Sequence, residues 1–287
     1  MKKFGCALLA MMLAFSMIGC GSSSTASTTA AAETEAATEA AAETEAPETE
    51  APETEAAEGE TIVLAAAASL KYVFDEQLIP MFEEANPGIT VEATYDSSGK
   101  LQTQIEEGAD WDVFFSAGMK QMTALQDEGL VIDDTVEKVL ANELVLIVPN
   151  DSELGIESVQ DVPEKCSIIA IGDPADVPVG QYAQNALTEL GLWDAVNEKE
   201  VSLGTNVTEV LNWVAEGSVD CGFTYRTDAY QKADEVTIIE GLAPATYPAA
   251  VIASTSHEEA ARTFEEFLST PEAMEQFIAY GFSELAE

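Results

Sequence analysis

Four short stretches place small or hydroxyl residues where the pattern changes from strand to helix: Ala68-Ser69, Ser97-Ser98-Gly99, Pro178-Val179-Gly180 and Asn206-Val207. The first turn of a helix carries N–H groups with no intrahelical partner, and the helix dipole adds partial positive charge there. Such a terminus favours an anion. Four of them around one point, with serine hydroxyls and the phenol of Tyr225 at a strand end, could hold one buried anion without a buried arginine. The only basic residue beside these turns is Lys100. A site of neutral donors suits a fully deprotonated oxyanion, since a protonated one needs an acceptor as well.

These turns need strands to hold them, and the chain supplies an alternating series. Thr61–Leu64 reads as a strand, Ala65–Ala68 as a small-residue turn, and Ser69 as the N-cap of a helix over residues 69–84. The helix stops at Asn86-Pro87-Gly88. Further strands are expected at Ile89–Tyr95, Val113–Ser116, Leu144–Val148, Ser167–Ile171, Asp220–Tyr225, Val236–Ile239 and Tyr247–Ala253. Pro248 should place the last of these at a sheet edge, or the strand should begin after it. Helices fall between them, and the chain closes with helices over 258–268 and 271–280, Pro271 fitting the first helical position. The alternation predicts an α/β fold in two lobes, 61–143 plus 246–287 and 144–245, each a mixed sheet flanked by helices, with a ligand in the cleft between them.

What precedes residue 61 has another character. Lys2 and Lys3 begin a targeting segment over 1–19 whose apolar run, Ala7–Ile18, is short for a bilayer span. Met17-Ile18-Gly19-Cys20 resembles a bacterial lipobox, with Met17 where Leu is usual, which makes Cys20 the expected lipidation site. Residues 20–60 are an acidic Ala/Glu/Thr/Pro tether without an aromatic residue, unable to bury a core. The chain would then sit on the outer face of a cell membrane.

The formal net charge is −42 over 287 residues. Eleven of the 53 acids are Glu within 31–60, and Lys2 and Lys3 belong to the leader, which leaves 42 acids against nine bases, or −33, from residue 61 onward. Such a domain lacks the basic footprint of a nucleic-acid binder. Cys166 and Cys221 remain once Cys6 and Cys20 are set aside. They read as two buried free thiols rather than a disulfide, although both could pair in an oxidising compartment. With one histidine, His257, in a polar run that reads as solvated, a transition-metal site is not expected.

The wording of the turns carries more than their type. Ala66-Ala67-Ala68-Ser69-Leu70, Ser97-Ser98-Gly99-Lys100-Leu101, the run Gly172 to Ala183 (Gly-Asp-Pro-Ala-Asp-Val-Pro-Val-Gly-Gln-Tyr-Ala) and Gly222 to Ala229 occur in that order, and Tyr280-Gly281-Phe282 closes the chain. This resembles the molybdate-binding proteins of bacterial ABC importers, over nearly all of 61–287. The resemblance implies the two-lobed periplasmic-binding-protein fold (type II), closing over molybdate or tungstate. It implies oxyanion contacts from Ser69 and Ser98 (hydroxyl and N–H), Val179 and Val207 (N–H) and Tyr225 (hydroxyl). The family often has Ala at the position of Val179, and more often an acidic residue at that of Asn206. It further implies an ABC permease as partner, a monomer, no catalysis, no cofactor and no direct protein ligand to the metal. Two other readings stand beside it: a binding protein for another tetrahedral oxyanion such as sulfate, and an enzyme on the same scaffold. The second lacks a Cys/His pair or a GxSxG motif, and Asp110 with Asp112 is either a carboxylate pair or a solvated edge. A surface adhesin, suggested by the tether alone, is a third.

Overall fold

The structure is a computed structural model and describes residues 59–285. The leader, Cys20 and the tether up to residue 58 lie outside the described residues. Eight strands form one ladder series: β1 (Glu60–Ala67), β2 (Ile89–Asp96), β3 (Val113–Phe115), β4 (Glu137–Pro149), β5 (Ile168–Gly172), β6 (Glu200–Gly204), β7 (Cys221–Tyr225) and β8 (Val236–Val251). Their spatial order is β2-β1-β3-β8-β4-β7-β5-β6.

The pairing has near mirror symmetry. β2, β1 and β3 are mutually parallel. So are β7, β5 and β6. Between these two blocks run the long strands β4 and β8, antiparallel to each other and to the block that each borders. Parallel strands need crossover connections, and helices supply them. The helices run α1 (Lys71–Val73), α2 (Ile79–Ala85), α3 (Ser98–Glu106), α4 (Met119–Asp127), α5 (Val162–Lys165), α6 (Pro178–Glu189), α7 (Trp193–Asn197), α8 (Val207–Ala215), α9 (Arg226–Gln231), α10 (Glu258–Leu268) and α11 (Pro271–Ala279), and those that matter for the site are α3, α6 and α8.

The crossover strands depart from expectation. Leu144–Val148 is the end of a 13-residue strand, and Val236–Ile239 and Tyr247–Ala253 are parts of one 16-residue strand. Pro248 therefore sits in the middle of the sheet and not at its edge. The ladder absorbs it at a register shift: Lys138 pairs with Pro248 and Leu140 with Tyr247, so Val139 bulges out beside the proline that cannot donate.

Three apolar clusters fill the space on the two faces. In β1, Ile62, Leu64 and Ala66 point into the largest, together with Phe74, Phe115, Phe264 and Phe277, while Ala65 points the other way with Leu101 and Phe114. Phe74, Phe115 and Phe277 meet edge to face, with centroids 5.9–6.1 Å apart, a favoured aromatic geometry. A third cluster packs Val145, Ile147 and Ala170 against Val210 and Val214 of α8.

The alanine turn is also revised. Ala65, Ala66 and Ala67 are strand residues, paired with Thr94, Tyr95 and Asp96 of β2. Ala65 and Ala66 lie opposite Phe114 and Phe115 of β3, so small side chains there leave volume for the rings. The expected single helix over 69–84 is helical throughout but not uniform. It opens as a 3-10 turn (Ala68–Leu70), passes through α1 (Lys71–Val73), widens to a π turn (Phe74–Leu78) and ends as α2 (Ile79–Ala85). Pro80 has no N–H to give back along the helix, and the wide turn lies just before it.

Cys166 and Cys221 are buried free thiols with Sγ atoms 3.2 Å apart. Asp112 is not on a solvated edge. It is buried, accepts from the Val63 N–H at 2.7 Å, and holds Nδ1 of the half-buried His257 at 3.1 Å. His257 is thus a partner that helps compensate a buried carboxylate.

Candidate functional site: a cavity at six strand ends

The six parallel strands all end at one place. Ala67 to Ser69 follows β1, Asp96 to Ser98 follows β2, and Ala117 follows β3. From the other block, Val177 to Val179 follows β5, Val207 follows β6, and Tyr225 ends β7. Together they line one small cavity. The carboxyl ends of parallel strands are where ligands of open α/β sheets bind. The cavity offers about 10 Å³ to the centre of a water-sized sphere, about the room of one water molecule, which excludes an extended organic molecule; a tetrahedral oxyanion fits once the walls move slightly apart.

Ser69, Ser98, Val179, Val207 and Tyr225 are thus brought together by the fold, from five segments spread over more than half the chain. Their local roles differ from the simplest expectation. Ser69 is not a capping side chain: it lies inside the 3-10 turn, buried, with Oγ 2.9 Å from the hydroxyl of Tyr247. Ser98 is not the cap of α3 either. Ser97 is, accepting from the Lys100 N–H, and this frees Ser98 at the first helical position. Ser98 Oγ accepts the N–H of Ala117 at 2.9 Å, which leaves its own proton to point into the cavity.

Val207 opens α8 behind the cap Asn206, whose side chain accepts the Glu209 N–H at 3.0 Å. Val179 is the second residue of α6, after Pro178. Both N–H groups belong to the first turn, where a helix provides no acceptor. The glycines of the Gly172 to Ala183 run are explained by closeness. A Cβ on Gly180 would lie 1.8 Å from the Gly172 carbonyl oxygen, so only glycine lets α6 begin this near the end of β5.

Tyr225 is buried and donates to the Ala117 carbonyl at 3.1 Å; turning the hydroxyl about its C–O bond aims the proton at the cavity. Burial pushes its phenol well above the ordinary value, as it does that of Tyr247. Both therefore keep their protons and remain donors at neutral pH. Asp96 is the one acid in the lining. Its carboxylate accepts from the Ser97 N–H at 2.7 Å and pairs with Lys100 Nζ at 3.1 Å, which offsets its charge. Among the described residues, no group of three His, Cys, Asp or Glu is placed to hold a metal ion.

Contacts across the cavity join the two blocks. The Gly99 N–H donates to the Asp176 carbonyl at 2.9 Å, and Gln121 Nε2 donates to Gln181 Oε1 at 3.3 Å. Sequence reasoning missed these, along with Ala117 and Tyr247. No local pattern marks Tyr247, which stands 178 residues from Ser69.

Known proteins place this architecture. The family model for bacterial extracellular solute-binding proteins matches residues 62–283. A putative ABC transporter substrate-binding lipoprotein of Bacillus subtilis, YvgL, is 37% identical over 227 residues, 78% of this chain and 86% of the relative. The molybdate-binding protein ModA of Haemophilus influenzae is 34% identical over 234 residues, 77% of this chain and 89% of the relative. Among solved structures, the substrate-binding domain of a putative molybdenum ABC transporter from Clostridium difficile superposes with a TM-score of 0.62 at 34% identity, covering 79% of this chain and all of that one. The two parallel blocks joined by crossover strands are the two lobes of that fold, and the chain belongs to the bacterial extracellular solute-binding protein family.

Proposed function

We propose that this protein captures molybdate, and tungstate with it, in the six-stranded-end cavity and delivers it to an ABC permease. The observation that carries the reading is the convergence of four helix first turns, two serine hydroxyls and one tyrosine hydroxyl on one small cavity. Ser69, Ser98, Val179, Val207 and Tyr225 supply the donors, without a protein ligand to the metal and without a resident cofactor. The lobes are 61–143 plus 246–287 and 144–245, and they close on the ion by a hinge motion in β4 and β8. Binding without catalysis is the activity. The protein works as a monomer outside the cytoplasm, anchored through lipid on Cys20. With a charge of −33 from residue 61 onward, capture of a dianion relies on short-range preorganised donors and not on steering.

A cavity whose hydroxyls and first-turn N–H groups act as donors also suits sulfate, and the named relatives are what favour molybdate. Titration calorimetry with molybdate, tungstate and sulfate separates the two. Tight molybdate binding is expected; tight sulfate binding with none for molybdate would replace this reading by the other. An adhesin predicts no ligand-induced thermal shift at all.

A further inference from the structure

We propose that Tyr247, oriented by Asn142, is a positioning residue that fixes the direction of the Ser69 hydroxyl, so that its proton faces the cavity. The inference rests on the oxyanion reading above and adds what makes Ser69 a donor only.

The direction can be followed bond by bond. Asn142 is buried on β4, and its side-chain Oδ1 accepts the N–H of Glu143 at 2.8 Å. That bond decides which end of the amide is oxygen, so Nδ2 faces inward. Nδ2 has two protons: one goes to Thr227 Oγ1 at 2.9 Å, the other to Tyr247 Oη at 3.2 Å. Thr227 passes its own proton on to Asp228 Oδ2 at 3.4 Å, so that branch ends on an acceptor. In the other branch the phenol oxygen of Tyr247 already accepts. It has one proton to give, and Ser69 Oγ is 2.9 Å away. If Ser69 donated to Tyr247 instead, the fully buried phenol would lose this acceptor, which costs free energy. Ser69 Oγ therefore accepts from Tyr247, and its proton is released toward the cavity that the residue lines.

The result matches Ser98, whose oxygen is occupied by the Ala117 N–H. Both serines are held as donors by a proton supplied from behind, one from backbone and one from a side-chain relay. An oxyanion that still carries a proton finds no acceptor at either hydroxyl. The relay also lies on the crossover strands: Asn142 is on β4 and Tyr247 on β8.

A double-mutant cycle of Ser69→Ala and Tyr247→Phe tests this, read by molybdate calorimetry, with the ligand-free melting temperature of each variant as a control. Each single variant should bind about tenfold more weakly, and the double variant no more weakly than Ser69→Ala alone. Losses that simply multiply mean that Tyr247 does not act through Ser69, and they overturn the relay while leaving the site reading intact. Should Tyr247→Phe fail to fold, Asn142→Asp takes its place. It puts an acceptor where the amide donated and draws the Tyr247 proton away from Ser69. Its loss should vanish in the Ser69→Ala background, and a loss equal in both backgrounds is charge repulsion and refutes the relay. A wild type that binds none of molybdate, tungstate and sulfate removes the oxyanion reading, and the relay with it.

Discussion

The backbone N–H of Gly99 reaches the carbonyl oxygen of Asp176 at 2.9 Å, and a methyl group on Gly99 would lie 2.1 Å from that same oxygen. Gly99 is in the first turn of α3, after β2; Asp176 is in the loop after β5. The two lobes thus touch backbone to backbone beside the cavity, at a distance that any side chain would forbid. Alanine suits a helix interior better than glycine, so the substitution should not harm α3 itself. Gly99→Ala is expected to weaken oxyanion binding tenfold or more, the scale of about 1–3 kcal/mol for overpacking, with little change in the ligand-free melting temperature. Calorimetry beside a thermal melt measures both, and unchanged affinity would show that this contact is not needed for the bound state.

Ser98→Ala and Tyr225→Phe each remove one hydroxyl donor from the cavity wall. Each should cost about 1–3 kcal/mol of binding, the range for leaving a charged partner short of a hydrogen bond. Wild-type affinity in both variants would place the ion elsewhere.

The backbone donors can be tested as sharply as the hydroxyls. Val207 is the first residue of α8, a position that accepts proline, and Asn206 before it is extended (φ −159°, ψ 174°), as a residue before proline should be. Val207→Pro should leave the helix folded and remove only the N–H, weakening binding by about 1–3 kcal/mol. Val207→Ala keeps the N–H and should bind close to wild type, though with some loss of stability from the buried methyl groups. The contrast between the two, read by titration, isolates the peptide donor; equal affinities would mean that the N–H plays no part.

Asp228 sets an expected pH dependence. Burial pushes its carboxyl from 3.8 up to about 7, with the Thr227 hydroxyl opposing the rise. Between those two values the folded protein holds a proton that the unfolded chain has released. Stability should therefore fall as pH rises from about 4 to about 7 and level off above that. Asp228→Asn should remove a penalty on the order of 2–4 kcal/mol at pH 8 and change little at pH 4. Glu265, also pushed up to about 7 by burial, should keep part of the slope in that variant. Urea unfolding of both proteins at pH 4, 6 and 8 measures it, and parallel curves would show that Asp228 is ionised in the folded state.

Most strands and the helix-start turns were legible because each is a local property: a change of hydrophobic period, a proline at a first turn, a glycine after a strand. The short, half-exposed β6 carries too little of that signal, and two expected strands are parts of the single β8. The five candidate donors were singled out by the wording of the turns, through the family resemblance, and not by local pattern alone. Other features were not local. Pro248 reads as an edge residue because its missing donor is local, while the bulge at Val139 that tolerates it lies on another strand. Ala65 and Ala66 read as clearance over a turn, and the phenylalanines opposite them are what require small side chains. Ser69 reads as a cap, since a serine before a helical period usually is one; its real partner is Tyr247.

By itself, then, the sequence determined that helix first turns would offer neutral donors and that they follow parallel strands, because turn chemistry and periodicity act over a few residues. Tertiary structure alone decided that six strand ends meet around one small cavity, that Gly99 lets the Asp176 carbonyl come within hydrogen-bond reach, and which way each serine proton points. Those are distances between atoms far apart in the chain, and a hydrogen bond, unlike a propensity, exists only once both partners are in place.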